Sequence, residues 1–197
     1  MITTEQIKKL RDETGVSVMQ CRKALEEAGG DEEKAKIILR KISKQTAEKK
    51  SDRNFGSGAI MSYVHSNGLV GSMVELLCET DFVARNEDFR ALAKDIAMHV
   101  TALAPEYLKA EDVPAEAKIK ARELFVEELM KDGKERSGEM RDKIIEGKLA
   151  AFLSEKVLLD QPFIKNPDVT IRSLVEAANQ KFGERTEIGR FVRFALN

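Results

Sequence analysis

The residues of this chain with chemistry to offer are two histidines, two cysteines and 34 carboxylates. His65 and His99 lie far apart in sequence, and neither has a Cys, Asp or Glu at a spacing that would complete a metal shell. Each is expected either as a polar core contact or as an exposed ring. Cys21 and Cys78 fall inside apolar periodic segments, which suits buried thiols in a reducing cytoplasm better than a disulfide framework or a metal site. Gly56-Ser57-Gly58 lacks the continuation and the strand-then-helix context that would cradle a nucleotide. No carboxylate joins a constellation of nucleophile, base and orienting group. These absences point away from an enzyme and toward a protein that acts by binding, with no cofactor and no metal expected.

The candidate for that binding is Glu79-Thr80-Asp81-Phe82-Val83-Ala84-Arg85-Asn86, a polar connection between an expected strand and an expected helix. A large apolar side chain in such a segment either turns back into the core or is offered to something else. Spacing alone leaves both open: Phe82 and Val83 could simply staple the start of the next helix to the sheet.

The elements that must position this segment follow from periodicity. Residues 1–42 read as a domain of three short helices. Thr3 with Gln6 and Ser17 with Gln20 form capping boxes, and Asp31 caps the third helix. The expected stripes are Ile7, Leu10 and Thr14; then Val18, Cys21, Leu25 and Ala28; then Ala35, Ile38, Leu39 and Ile42. Residues 43–55 form a linker, within a basic run from Arg40 to Arg53 whose six cations against Glu48 and Asp52 give a net of +4. It can be part helical, and without interleaved aromatics it reads as a solvated tether.

Residues 56–197 are expected as an α+β core. Gly58 to Ser66 and Leu69 to Cys78 are β-rich runs around Asn67-Gly68, the dipeptide that favours a two-residue hairpin turn with both positions at positive φ. Asn86 should cap a helix with Phe89, Leu92, Ala93, Ile96, Ala97, Val100 and Leu103 on its buried face, ending near Pro105. Two helices between about 114 and 159, broken at Gly133, make an antiparallel hairpin that is either an arm or a cover for the core. Pro162 and Pro167 bound an extended stretch, Thr170 caps a helix ending near Gly183, and a final strand runs from Ile188 to Leu196. Strict alternation there puts Ile188, Val192, Phe194 and Leu196 on one face, with Phe191 and Arg193 on the other.

Composition sets limits. Apolar residues make up 42% of 197, enough for a real core, and 33 basic against 34 acidic residues leave no global field to mark a nucleic-acid or membrane binder. No stretch approaches a membrane span, and the opening residues carry no apolar export signal, so a cytoplasmic location is expected.

Leu10-Arg11-x-x-Thr14-Gly15-x-Ser17-Val18-Met19-x-Cys21-Arg22-Lys23-Ala24-Leu25 closely resembles the N-terminal signature of bacterial translation elongation factor Ts. Glu75 to Arg85 resembles the family's second signature. The likeness continues through Asp95 to Val100, Leu159 to Ile164 and Arg190 to Phe194, so it spans the chain in order. Arg22 stands where the family usually has Lys, and Leu77 replaces a usually polar residue. The chain is short for the family and resembles compact members with one sheet-and-helix unit.

The resemblance implies an N-terminal domain similar to ubiquitin-associated modules, and an exchange factor for the GTPase elongation factor Tu. It implies that Thr80, Asp81, Phe82 and Val83 insert beside the partner's magnesium site, with Phe82 as the wedge. Arg11, Val18 and Met19 would grip the outside of the GTPase domain. It further implies a homodimer that restores a missing half, with no direct nucleic-acid or membrane partner. Two readings compete: an adaptor that recruits a partner through the three-helix domain, and an RNA contact through Lys49 and Lys50.

Overall fold

The structure, a computed structural model, describes residues 2–49, 53–131 and 138–196, with side chains through residue 46 in the first segment. The N-terminal helices are α1 (Thr4–Thr14), α2 (Val18–Glu27) and α3 (Glu32–Lys49). Thr3 makes the full capping box with Gln6. Ser17 makes half of one: its hydroxyl accepts from the Gln20 N–H, and the Gln20 side chain turns to that hydroxyl instead of the backbone. Asp31 accepts from the Lys34 N–H at 3.0 Å. Leu10, Val16, Cys21, Ala24, Leu25, Ala35 and Leu39 form the buried centre.

One expected core residue is replaced by its neighbour. Val18, in the first turn of α2, is exposed, and Val16 in the preceding loop is buried. The chain enters α2 from the inside, so the residue before the cap, not the one after it, reaches the core. α3 also runs past Ile42 to Lys49, so the first half of the expected linker is helical and packs on a later helix. The side chains of Lys49 and Lys50, on which an RNA reading depends, lie outside the described residues.

The core carries an antiparallel sheet of β1 (Ser57–Val64), β2 (Val70–Cys78) and β5 (Glu187–Ala195) in the order β1-β2-β5. The hairpin is present, but its turn is not the two-residue type. His65 still pairs with Val70, the Gly68 N–H closes a four-residue turn onto the His65 carbonyl at 2.8 Å, and only Gly68 has positive φ. Asn67 instead spends its side-chain oxygen on the Leu69 N–H.

α4 (Asp81–Ala84) and α5 (Glu87–Leu103) follow β2. Asn86 caps α5 by accepting from the Asp88 and Phe89 N–H groups. Phe89, Ala93, Ile96, Ala97 and Val100 are buried against Ala59, Val74, Leu76 and Cys78 of the sheet. Polar groups lock the register: Ser72 donates to the Ala97 carbonyl at 2.6 Å, Thr101 donates to the Ser72 hydroxyl, and Arg193 donates to the Thr101 carbonyl.

The last strand departs from simple alternation. Between Glu75 and Leu76 the register shifts, leaving Gly189 as the extra residue of a bulge, since Leu76 pairs with Ile188 and Glu75 with Arg190. A Cβ at Gly189 would collide with the Glu75 carboxylate. Beyond the bulge the faces exchange. Phe191 packs on the core and Arg193 reaches α5, whereas Val192 and Phe194 are exposed on the opposite face, although Ile188 is buried. Strict period 2 had placed Ile188 with Val192 and Phe194; one inserted residue separates them.

α6 (Ala115–Lys131) and α7 (Gly138–Lys156) pack on each other, with Phe125 and Phe152 edge to face at 6.1 Å and Lys148 paired to Glu128 at 2.6 Å. Among the described residues, the contacts of this pair with the core lie at its base. The Lys156 carbonyl accepts from the Glu106 and Tyr107 N–H groups, and Val157 and Leu158 are buried. Ile119, Leu124, Met130 and Met140 remain exposed, so the hairpin is an arm. The small strands β3 (Pro162–Phe163) and β4 (Asn166–Thr170) lead into α8 (Ile171–Phe182), capped by Thr170 and ended by Gly183 in the left-handed conformation. α3 lies along α8, with the Ser43 hydroxyl hydrogen-bonded to Gln180.

His99 joins α5 to the segment before α8. It is fully buried, its Nδ1 accepts from the Ile164 N–H at 3.2 Å, and its Nε2 faces the Gln161 side-chain oxygen at 2.9 Å. Burial holds its pKa below the usual histidine value. A depressed histidine pKa means that the unfolded chain binds more protons at mildly acid pH. The stability contributed by the neutral ring is therefore complete above the unfolded value of about 6.5 and declines as pH falls below it. Urea unfolding between pH 7.5 and 5 should show this loss, and His99→Gln should remove part of the slope. An unchanged slope would show that His99 is not the responsible group.

Candidate functional site

The 79 to 86 connection contains a single helical turn. Its buried side is Val83 and Ala84, which enter the core beside Phe89. Phe82 points the other way and is 82% exposed, the most exposed large apolar side chain among the described residues. One helical turn explains the division, because adjacent positions on so short a helix face directions about 100° apart. Asp81 pairs with Arg85 at 3.0 Å, and both side chains are exposed.

A four-residue helix cannot hold itself. Thr80 occupies its N-cap without making a side-chain cap bond, because its hydroxyl donates to Glu184 at 2.6 Å. The same carboxylate accepts from the Glu79 and Thr80 N–H groups at 3.1 and 3.0 Å. Glu79 in turn accepts from the Arg185 backbone N–H and from the Arg53 guanidinium at 3.1 Å. Arg185 lies over the Phe55 ring, 4.3 Å from its centroid. The Cys78 thiol donates to the Thr80 carbonyl at 3.2 Å. Burial, with Glu184 nearby, pushes its pKa up to about 11, so it stays a protonated donor.

Glu184, Arg185 and Phe55 carry no local sequence signal of this role, and the sequence marks Arg53 only as a linker cation. Nothing in periodicity pairs position 79 with position 184. The one available signal was Gly183, a helix-ending residue after which the chain must turn sharply.

The three N-terminal candidates, Arg11, Val18 and Met19, are all exposed, Met19 to 75%. They flank the loop between α1 and α2, whose Gly15 lies against the Lys181 side chain. Lys181 also pairs with Asp88 at 2.9 Å, at the start of α5, and Phe182 stacks edge to face on Phe89. The end of α8 therefore brings the α1–α2 loop to the same end of the core as α4. Leu77, one of the departures from the family pattern, is half-buried in β2 on the face turned away from α5. Arg22 is exposed and pairs with Glu26. Both cysteines are free and buried. Among the described residues, no three of His, Cys, Asp and Glu converge on a point that could hold a metal ion, and no helix is long and apolar enough to cross a membrane.

The profile of the family described as "Elongation factor TS" matches residues 4–197. The chain belongs to the elongation factor Ts family. It is 45% identical over 196 residues to elongation factor Ts of Carboxydothermus hydrogenoformans, covering all of this chain and 89% of that protein. It is 47% identical over 195 residues to that of Thermodesulfovibrio yellowstonii, covering 99% and 96% of the two chains. With elongation factor Ts of Thermosipho melanesiensis it shares 46% identity over 196 residues, covering 100% and 99%. The short length is thus shared with relatives aligned nearly end to end.

The opposite burial of Phe82 and Val83 has a direct consequence for stability. Phe82→Ala should change the unfolding free energy by no more than about 0.5 kcal/mol, as for other exposed positions. Val83→Ala should cost about 1–3 kcal/mol by leaving a cavity beside Phe89. Urea titrations of the two variants check the pair; equal losses would mean that Phe82 packs in solution.

Proposed function

We propose that this protein is a guanine nucleotide exchange factor for elongation factor Tu. It would promote GDP release and GTP reloading in the cytoplasm without catalytic groups of its own. Membership of the elongation factor Ts family along the whole chain carries this reading. An exchange factor needs only surfaces that bind the nucleotide-free partner better than the nucleotide-bound one. That coupling is reciprocal: the factor weakens GDP by the same ratio as GDP weakens the factor.

In this mechanism Thr80 to Val83 approach the partner's magnesium site and Phe82 enters an apolar slot between partner helices. Its exposure on a helix tied down at its N-terminal end supports that role. Burying one Phe is worth roughly 1.5–3 kcal/mol, or about 10- to 100-fold in affinity. The rest of the expulsion comes from lost magnesium and phosphate coordination as the partner's elements move. Asp81 supplies a carboxylate beside that site, and its exposed pairing with Arg85 leaves it open to a new partner. Val83 keeps the turn packed. Arg11, Val18 and Met19 form the second grip, which gives the wedge its leverage.

The same reading includes a homodimer. The sheet face away from α5 presents Ile60, Val64, Met73, Val192 and Phe194, with Val64 66% and Phe194 73% exposed. Exposed apolar side chains gathered on one sheet face suit an interaction surface, and a second copy laid sheet to sheet would cover them.

Stopped-flow release of labelled GDP from elongation factor Tu tests the exchange role. Wild type should accelerate release, and Phe82→Ala should lose about 10- to 100-fold of that acceleration; an unchanged rate in the variant would sink the wedge. For the dimer, sedimentation equilibrium should give twice the chain mass for wild type and the chain mass for Phe194→Glu. A wild-type monomer at micromolar concentration would refute it.

A further inference from the structure

The carboxylate of Glu184 receives three donors from the base of the exposed turn: the Glu79 N–H, the Thr80 N–H and the Thr80 hydroxyl. The connection is returned, because the Arg185 N–H donates to the Glu79 carboxylate. Two glutamates more than a hundred residues apart thus each hold the other segment's backbone, Glu184 that of Glu79 and Thr80, and Glu79 that of Arg185. Glu184 stands on a firm base. It follows Gly183 at the end of α8, where Phe182 stacks on Phe89 and Lys181 pairs with Asp88. The turn it holds is the reverse, a four-residue helix with no stability of its own.

We propose that Glu184 is the positioning residue of the exchange surface, fixing the direction in which Phe82 is presented without itself touching the partner. The proposal rests on the reading of Phe82 as the inserted side chain. A wedge presented in one orientation binds without first being ordered, so the advantage of the clamp appears as faster productive engagement. Because the clamp acts mainly through the ring, its loss should cost no more than the roughly 10- to 100-fold set by that ring, and about tenfold in exchange efficiency is expected. Gln is a suitable conservative replacement. Its amide oxygen can take both N–H groups, and the Thr80 hydroxyl can reverse to accept from its NH2.

The test combines amide hydrogen exchange of the free protein with GDP release from elongation factor Tu, using Glu184→Ala, Glu184→Gln and Phe82→Ala singly, and Glu184→Ala with Phe82→Ala. Expected are faster exchange of the Thr80 amide in Glu184→Ala, an exchange efficiency about tenfold down in that variant, and recovery to within about twofold in Glu184→Gln. Adding Glu184→Ala to Phe82→Ala should cost clearly less than Glu184→Ala costs alone, because most of the clamp's effect acts through that ring and only the remainder through Asp81. If Glu184→Ala impairs release by the same factor with and without Phe82, the residue acts on its own and the proposal is wrong. It is equally wrong if Glu184→Ala matches wild type while Phe82→Ala is impaired. Normal release by Phe82→Ala alone would instead remove the wedge reading on which the proposal stands, and the Thr80 amide would still report the clamp. Should Glu184→Ala fail to fold, Glu184→Asp, whose carboxylate is withdrawn by one methylene, is read in the same way.

Discussion

The burial of α5 on one face of a three-stranded sheet is the contact from which the other features follow. Phe89, Ala93, Ile96, Ala97 and Val100 remove the inner face of β1, β2 and β5 from water, and hydrophobic burial of this kind is the main favourable contribution to folding. Because α5 starts soon after β2 ends, the connection between them must turn within a few residues directly above the core. Val83 and Ala84 are drawn inward by that geometry, and Phe82, between Asp81 and Val83 on the same helical turn, is left pointing out. The exposed ring is thus a by-product of the core's position as much as of its own sequence.

The same arrangement leaves the sheet with one helix-covered face and one bare face. A sheet of three strands is small, and a single helix suffices to cover one side. The bulge at Gly189 then enriches the bare side with Val192 and Phe194 while sending Phe191 and Arg193 inward. Both exposed apolar features, the ring on α4 and the outer sheet face, are therefore places where the core withholds cover. Among the described residues the α6–α7 arm does not supply it, since its backbone bonds to the core lie at its base.

Holding an apolar side chain in water has a conformational cost if the backbone beneath it moves. Here the base of the turn is fixed from three directions: by Glu184, by the Glu79 carboxylate meeting Arg185 and Arg53, and by the Cys78 thiol. The N-terminal helices approach the same region at Lys181, which lies beside Gly15 of the α1–α2 loop and pairs with Asp88. The end of α8 is consequently the place where the small domain, the core helix and the exposed turn are joined.

Local patterning by itself determined most elements and the residues at their ends: Thr3, Asp31, Asn86 and Thr170 as caps, Gly15 and Gly183 as stops, the apolar stripe of α5, and the family to which two long motifs belong. These features act over three or four positions, so one sequence carries them in full. Only the tertiary structure decided the rest. Which of Val16 and Val18 is buried depends on the direction of the chain into α2, and which face takes Phe194 depends on one unpaired residue in a strand. The fixing of Phe82 by Glu184 depends on two segments over a hundred positions apart being brought together by the sheet and α8. A period of 2 or 3.6 residues cannot encode such a meeting, because it arises only when distant elements share one core.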